Sequence, residues 1–206
     1  MNNLYDFDKA LKETYPILCG ADEAGRGPLC GPVCCAAVII KDGFNCEEIN
    51  DSKKLTEKKR EKLFDIIIQN CLAYSIVMVD PEVIDEINIL NASLEGIKQA
   101  VKHLDITPDL LIVDGNKIPK DMEIESKSIV KGDSKSLSIA AASILAKVSR
   151  DKYMQQLHEE YPQYQLDKHK GYPTKLHYEL IAEYGIKDFY RKSFFKKRPE
   201  LLKYVD

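Results

Sequence analysis

Apolar residues gather in short runs at 17–22, 33–40, 73–79 and 110–113, each of strand length, the second followed by Lys41, Asp42 and Gly43 and the others at once by an acid. A fifth run at 125–130 completes a predicted set of five strands. Between the third and fourth runs, 81–104 carries helical spacing, with Ile84, Ile87, Leu94, Ile97 and Val101 as apolar anchors. After Gly132, the polar stretch Asp133, Ser134, Lys135 and Ser136 caps a long helix running through Ile139 to about Glu160, and Pro162 ends it. A last helix starts at Thr174 and stops before Gly185. The first two strands are joined by a loop too rich in Gly25, Gly27, Pro28, Gly31 and Pro32 for regular structure. Adjacent strands first, then helices and further strands, predict an α/β mixed sheet flanked by helices rather than a strictly alternating fold.

A chain of 206 residues supports one core with a small C-terminal appendage. With 44% hydrophobic and 31% charged residues, disorder, collagen and coiled coil are excluded. No apolar run reaches the roughly 18 residues of a membrane span, and the first residues lack the pattern of a signal peptide, so a cytoplasmic protein without membrane contact is expected. All six cysteines lie within the first 71 residues, but Cys30 and Cys34 lack the second pair that zinc requires, so all six are read as small packing residues in a reducing compartment. The net charge of -3 speaks against nucleic-acid binding by bulk positive charge. Basic residues do cluster, at Lys53, Lys54, Lys58, Lys59, Arg60 and Lys62 and again at Arg191, Lys192, Lys196, Lys197 and Arg198, and each cluster alone reads as a solvated face or tail.

Four carboxylates stand out against this pattern. Asp22 and Glu23 follow the first apolar run, and alternation along a strand turns one of them toward the core side of the sheet. A buried carboxylate needs a partner, which here is a salt bridge to Arg26, backbone N–H groups of the glycine loop, or a metal ion. Asp114 ends the run Leu110 to Val113, where a turn role and a ligand role are both open. Asp151 continues the stripe Leu137, Ala141, Ile144 and Val148 on the core-facing side of the long helix, within reach of Lys147 or Arg150. Acids converging from two strand ends and a helix repel one another, and hard divalent cations are the usual remedy. Two Mg2+ or Mn2+ ions about 4 Å apart activate water and hold a phosphate without a Ser, Cys or His nucleophile. His103, His158, His169 and His177 have no evident partners and read as surface or packing residues.

Assembled in order, these segments resemble the bacterial type of ribonuclease HII over nearly the whole chain: D-E-A-G-R-G-P-L-C-G-P-V at 22–33, D-S-K-K-L at 51–55, I-V-D-G-N at 112–116, K-G-D-S-K-S-L-S-I-A-A-A-S-I-L-A-K-V-S-R-D at 131–151 and H-K-G-Y-P-T at 169–174. The resemblance implies a ribonuclease H-like catalytic domain over 1–160 and a C-terminal helical extension over 161–206 packed on it. It also implies that Asp22, Glu23, Asp114 and Asp151 bind two divalent ions, and that water attacks in line to leave 3′-hydroxyl and 5′-phosphate ends. The implied substrates are RNA-DNA hybrids and duplex DNA carrying ribonucleotides, cut by a monomer. Gly25, Arg26 and Gly27 match the loop that contacts the ribonucleotide 2′-hydroxyl, although the glycines alone are equally a tight turn. Tyr172 matches the tyrosine that packs on the following deoxyribose. Ser52, Lys53, Lys131 and Ser134 lie in motifs that flank nucleic acid in the family. Cys30, Cys34 and Cys35 depart from the small aliphatic residues usual at their positions. The competing readings are a metal-dependent nuclease of other specificity, ribonuclease HIII-like or a junction resolvase, and a nucleic-acid-binding protein without catalysis.

Overall fold

The computed structural model describes residues 3–50, 52 and 55–197, Lys197 by its backbone only. One sheet contains β1 (Leu18–Ala24), β2 (Val33–Ile40), β3 (Cys71–Val79), β4 (Leu110–Asp114) and β5 (Glu125–Ile129), in the order β3-β2-β1-β4-β5. The pairs β1-β2 and β2-β3 are antiparallel, whereas β1-β4 and β4-β5 are parallel. This is the mixed sheet expected from the apolar runs, with boundaries displaced by two residues at most. Among the described residues, six α-helices surround it: α1 (Asn3–Lys12), α2 (Glu57–Gln69), α3 (Pro81–Lys102), α4 (Leu137–Glu160), α5 (Leu166–His169) and α6 (Lys175–Tyr184).

The strand β2 is buried along its whole length because both faces are covered. Cys34, Ala36, Val38 and Ile40 pack with Leu137, Ala141, Ile144 and Val148 of α4 and with Leu63 and Ile67 of α2. Cys35, Ala37 and Ile39 pack on the other face with Ile84, Ile97 and Val101 of α3. A strand covered twice needs a continuous apolar run rather than an alternating one. Burial pushes the thiols of Cys19, Cys30 and Cys34 up to about 12, so they remain protonated packing groups. Beyond α4, Tyr164, Leu166, Leu180, Ile181, Tyr190 and Phe195 form a cluster with Met154 and Leu157 of α4 and with Leu29 and Cys30. The C-terminal segment therefore packs directly on the loop between β1 and β2.

Ser136 caps α4 by accepting from the Ile139 N–H, and Thr174 caps α6 by accepting from the His177 N–H, as the sequence predicts. Three features differ from expectation. α1 and α2 carry too little apolar periodicity to be read; α2 is anchored mainly by Leu63 and Ile67. α3 is broken at Asn88, whose φ of 66° ends one helical segment while its side-chain oxygen accepts from the N–H groups of Leu90 and Asn91 to start the next. Arg191, assigned to a solvated basic tail, is fully buried.

Helix and sheet approach closely at Gly20 in β1, where a Cβ would fall inside the backbone of Ser138 and Ile139. Gly20→Ala is expected to destabilise the fold by about 1–3 kcal/mol through overpacking. A lower urea midpoint would show this; an unchanged midpoint would mean that the helix can retreat freely.

Candidate active site

The parallel register of β1 and β4 pairs Ala21 with Val113, so the next residues, Asp22 and Asp114, leave adjacent strands at their carboxyl ends. Ligands gather at such strand ends because backbone pairing stops and loops diverge. Here a cavity of about 250 Å³ is lined by Asp22, Glu23 and Asp114, by Gly25, Arg26 and Gly27, and by Ser52, Ser143, Lys147 and Tyr172.

Asp22 is buried, and its Oδ1 accepts from the Glu23 N–H at 2.7 Å. Its carboxyl is held well above the usual range first by burial, then by repulsion from Glu23 and Asp114, against a compensating hydrogen bond from Ser143. Asp114 is fixed by its Oδ1, which accepts from the Gly132 N–H at 2.6 Å. Glu23 pairs with Arg26 at 3.2 Å, realising the salt-bridge partner considered for this acidic pair.

Asp151 lies on the core-facing stripe of α4 as predicted, and all five stripe positions are buried. It does not line the cavity of the other three acids. It borders a second one with Glu57, Arg60 and Lys170, where Lys147 Nζ holds its Oδ1 at 2.6 Å and Arg60 Nη2 stands 3.9 Å from its Oδ2. Lys147 lines the first cavity and grips the acid of the second, so it stands between them. Arg150 makes no ion pair with Asp151; its guanidinium donates to the carbonyls of Pro32, Cys30 and Lys170.

Among the described residues, no three His, Cys, Asp or Glu side chains stand as a ready-made cage for an ion. The donor set nevertheless fits a hard divalent cation. The acids of the first cavity offer only oxygen ligands, and the buried carboxyl of Asp22 is opposed by the charges of Glu23 and Asp114. A divalent ion would relieve that repulsion.

The rim is built from two interlocked loops. Gly25 has a φ of +95°, and a Cβ there would collide with the Arg150 side chain, so only glycine fits the turn. At Gly27 a Cβ would stand 3.5 Å from the Tyr172 ring, so the two sit in contact. The Leu29 N–H donates to the Gly171 carbonyl at 2.8 Å. Beneath them His169 and His177 stack with ring centroids 4.0 Å apart. Burial lowers His177 to about 4, so it is neutral near pH 7. Its Nδ1 donates to the Tyr172 carbonyl at 3.0 Å and its Nε2 accepts from the Tyr190 hydroxyl at 3.0 Å. These histidines, partnerless in the sequence, thus support the Tyr172 loop.

Ser52 Oγ lies 3.0 Å from Ser143 Oγ at the cavity wall. Lys131 and Ser134 are exposed and do not line the cavity; Ser134 instead closes a turn onto the Lys131 carbonyl. Lys53 lies outside the described residues. Ser143 and Lys147 are cavity residues that sequence reading missed; a serine on an alanine-rich helix is the one visible signal at the first.

A carboxyl whose value is raised in the fold binds its proton more tightly there than in the unfolded chain. Stability is therefore lost as pH rises from about 4, the unfolded value, through the raised folded value, and the loss is complete above it. In EDTA at pH 7, Asp22→Asn should melt at or above the wild-type temperature, with the gap closing in acid. Adding Mn2+ should raise the wild-type melting temperature and not the variant's. A variant markedly less stable at pH 7, or equally stabilised by Mn2+, would contradict this account.

A family model described as Ribonuclease HII matches residues 19–197. A ribonuclease HII from Caldicellulosiruptor saccharolyticus is 53% identical over 92% of this chain and 92% of its own. One from Shewanella sp. strain MR-7 is 50% identical over 93% of both chains. Among solved structures, the ribonuclease H2 of Pyrococcus horikoshii OT3 superposes with a TM-score of 0.74 at 30% identity, over 90% of this chain and 97% of that one. Bst-RNase HIII in complex with Mn2+ shares the fold, with a TM-score of 0.69 at 18% identity over 91% of this chain and 69% of that one. With strand ends, acids and loops arranged as above, the chain belongs to the ribonuclease HII family, metal-dependent endoribonucleases of the ribonuclease H kind that act on RNA-DNA substrates.

Proposed function

We propose that this chain hydrolyses the RNA strand of RNA-DNA hybrids and cuts 5′ of single ribonucleotides in duplex DNA, with Asp22, Glu23, Asp114 and Asp151 holding two divalent ions. The observation that carries the reading is three carboxylates in one cavity beneath a glycine loop and an exposed tyrosine. Mg2+ or Mn2+ held there supplies the charge that activates the attacking water and neutralises the leaving 3′-oxygen.

The chain's own residues do the rest. Asp114, fixed by the Gly132 N–H, and Asp22, fixed by the Glu23 N–H and Ser143, keep their carboxylates at the strand ends. Lys147 releases Asp151 so that the fourth acid joins the site, and its ammonium then faces the phosphate in the cavity it lines. Arg26, Gly25 and Gly27 bring backbone within reach of the ribose 2′-hydroxyl, the group that separates RNA from DNA. Tyr172 packs on the next sugar and disfavours a second 2′-hydroxyl there. Ser52, Lys53, Lys131 and Ser134 are assigned to the flanking backbone of the substrate. Cleavage beside a lone ribonucleotide suits the enzyme to ribonucleotide excision repair in the cytoplasm. No helix among the described residues is long and apolar enough to cross a membrane.

Asp114→Asn keeps side-chain volume but removes a charged ligand, so cleavage of duplex DNA with one ribonucleotide should fall to near background in Mg2+ while circular dichroism is unchanged. Wild-type rates in this variant would refute the metal site. Tyr172→Ala should weaken cleavage at the RNA-to-DNA junction by roughly 5- to 150-fold, as loss of about 1–3 kcal/mol of aromatic packing implies, and affect continuous RNA much less. Equal losses on both substrates would reduce Tyr172 to a support for its loop.

A further inference from the structure

Arg191 presents a problem that the reaction above does not explain. Its side chain is buried and makes no carboxylate pair among the described residues. Its Nε donates to the Gly31 carbonyl at 2.9 Å, and its Nη1 donates to the carbonyls of Pro28 at 2.9 Å and Arg26 at 3.2 Å. Its own N–H donates to the Leu29 carbonyl at 2.9 Å. Nη2 is buried with no hydrogen-bond partner among the described residues, and the guanidinium lies 5.2 Å from the Phe194 ring. Burial, reinforced by the nearby Arg150, lowers the guanidinium to about 9. An arrangement this costly for a cation needs a return.

The return lies in the peptide plane that Arg191 grips. The bond between Arg26 and Gly27 is trans, so its carbonyl and N–H point in opposite directions. With the carbonyl drawn inward to Arg191, the Gly27 N–H faces away from the core, on the side where Gly27 lines the cavity. That N–H has no acceptor among the described residues. Further along the loop the N–H groups of Leu29 and Gly31 are spent on the carbonyls of Gly171 and Phe189. The N–H groups of Gly25 and Arg26 also lack an acceptor among the described residues, but the Gly27 N–H is the one whose own peptide is gripped by a side chain 165 positions further along the chain.

We propose that Arg191 is a positioning residue for substrate recognition, which turns the Arg26-Gly27 peptide so that its N–H meets an oxygen of the ribonucleotide. Asp85 assists from α3 by accepting from the N–H groups of Lys192 and Ser193, which fixes the backbone beside Arg191. Lysine cannot replace it, because one compact ammonium cannot span three carbonyls spread over Arg26, Pro28 and Gly31. The inference rests on the proposed reading of the glycine loop.

The test compares binding of two duplexes, one all DNA and one with a single ribonucleotide, by wild type and Arg191→Lys, with Ca2+ replacing the catalytic metal. Wild type should prefer the ribonucleotide duplex. In Arg191→Lys that preference should shrink roughly five- to tenfold, the size of one lost hydrogen bond, while affinity for all-DNA duplex stays within about twofold. A preference unchanged in the variant, or a parallel loss on both duplexes, would overturn the assignment and leave the loop reading standing. No preference in wild type would sink both. Should the lysine variant not fold, the wild-type Gly27 amide resonance decides: it should shift with the ribonucleotide duplex and not with all-DNA duplex, and failure to shift would overturn the proposal.

Discussion

The seating of α4 on β1 is the contact on which the rest of the structure depends. Gly20 lets the Ser138 backbone lie directly against the strand, and Ser138 is locked from behind by its N–H and hydroxyl, both donating to Asp8 of α1 at 2.7 Å. Once the start of α4 is fixed, its periodicity places everything downstream. Ser143 meets Asp22 and Ser52, Lys147 reaches the cavity, and Arg150 reaches the loop between the first two strands. Two turns further, Met154 and Leu157 receive the C-terminal segment. A shift of α4 along the sheet would misplace all of these groups together, which is the expected behaviour of a close-packed interior.

The molecule buries charge of both signs near one another and compensates each differently. Asp22 stands beside two other acids, and its raised affinity for a proton or a bound cation relieves their repulsion. Arg150 and Arg191 are met by carbonyl oxygens instead, which accept hydrogen bonds without bringing a full negative charge close to the acids. A carboxylate partner for these arginines would have added to the repulsion at the cavity. Carbonyl partners also turn each arginine into a clamp on backbone conformation, so the recognition loop is held by fixed cations rather than by apolar packing alone.

The acids and the surrounding loops are joined by short polar links. Ser143 bonds to Asp22 and lies beside Ser52, while Arg60 donates to the carbonyls of Ser52 and Leu55 and stands close to Asp151. The segment bearing Ser52 is therefore tied to acids of both cavities. Asp151 is held by Lys147, as Glu23 is paired with Arg26, so two of the four acids have cationic side chains as partners.

The positions of the strands along the chain, the capped helices α4 and α6, and the placing of Asp22, Glu23 and Asp114 at strand ends followed from local pattern, because burial on a sheet face and helix capping depend on residues close in sequence, whereas the order β3-β2-β1-β4-β5 is set by pairing between distant segments. The core-facing position of Asp151 was legible for the same reason: residues on one helix share a face by periodicity alone. Its separation from the other acids was not, since Lys147 could be seen as a possible partner but not as the residue lining the neighbouring cavity. α1 and α2 stayed hidden because tertiary contacts, such as Asp8 on Ser138, stabilise them more than their own periodicity does. Arg191 was misassigned because a basic residue in a basic run looks solvated. Only the folded chain brings carbonyls from residues 26–31 around it, and whether a charge is buried is decided by partners distant in sequence rather than by its neighbours.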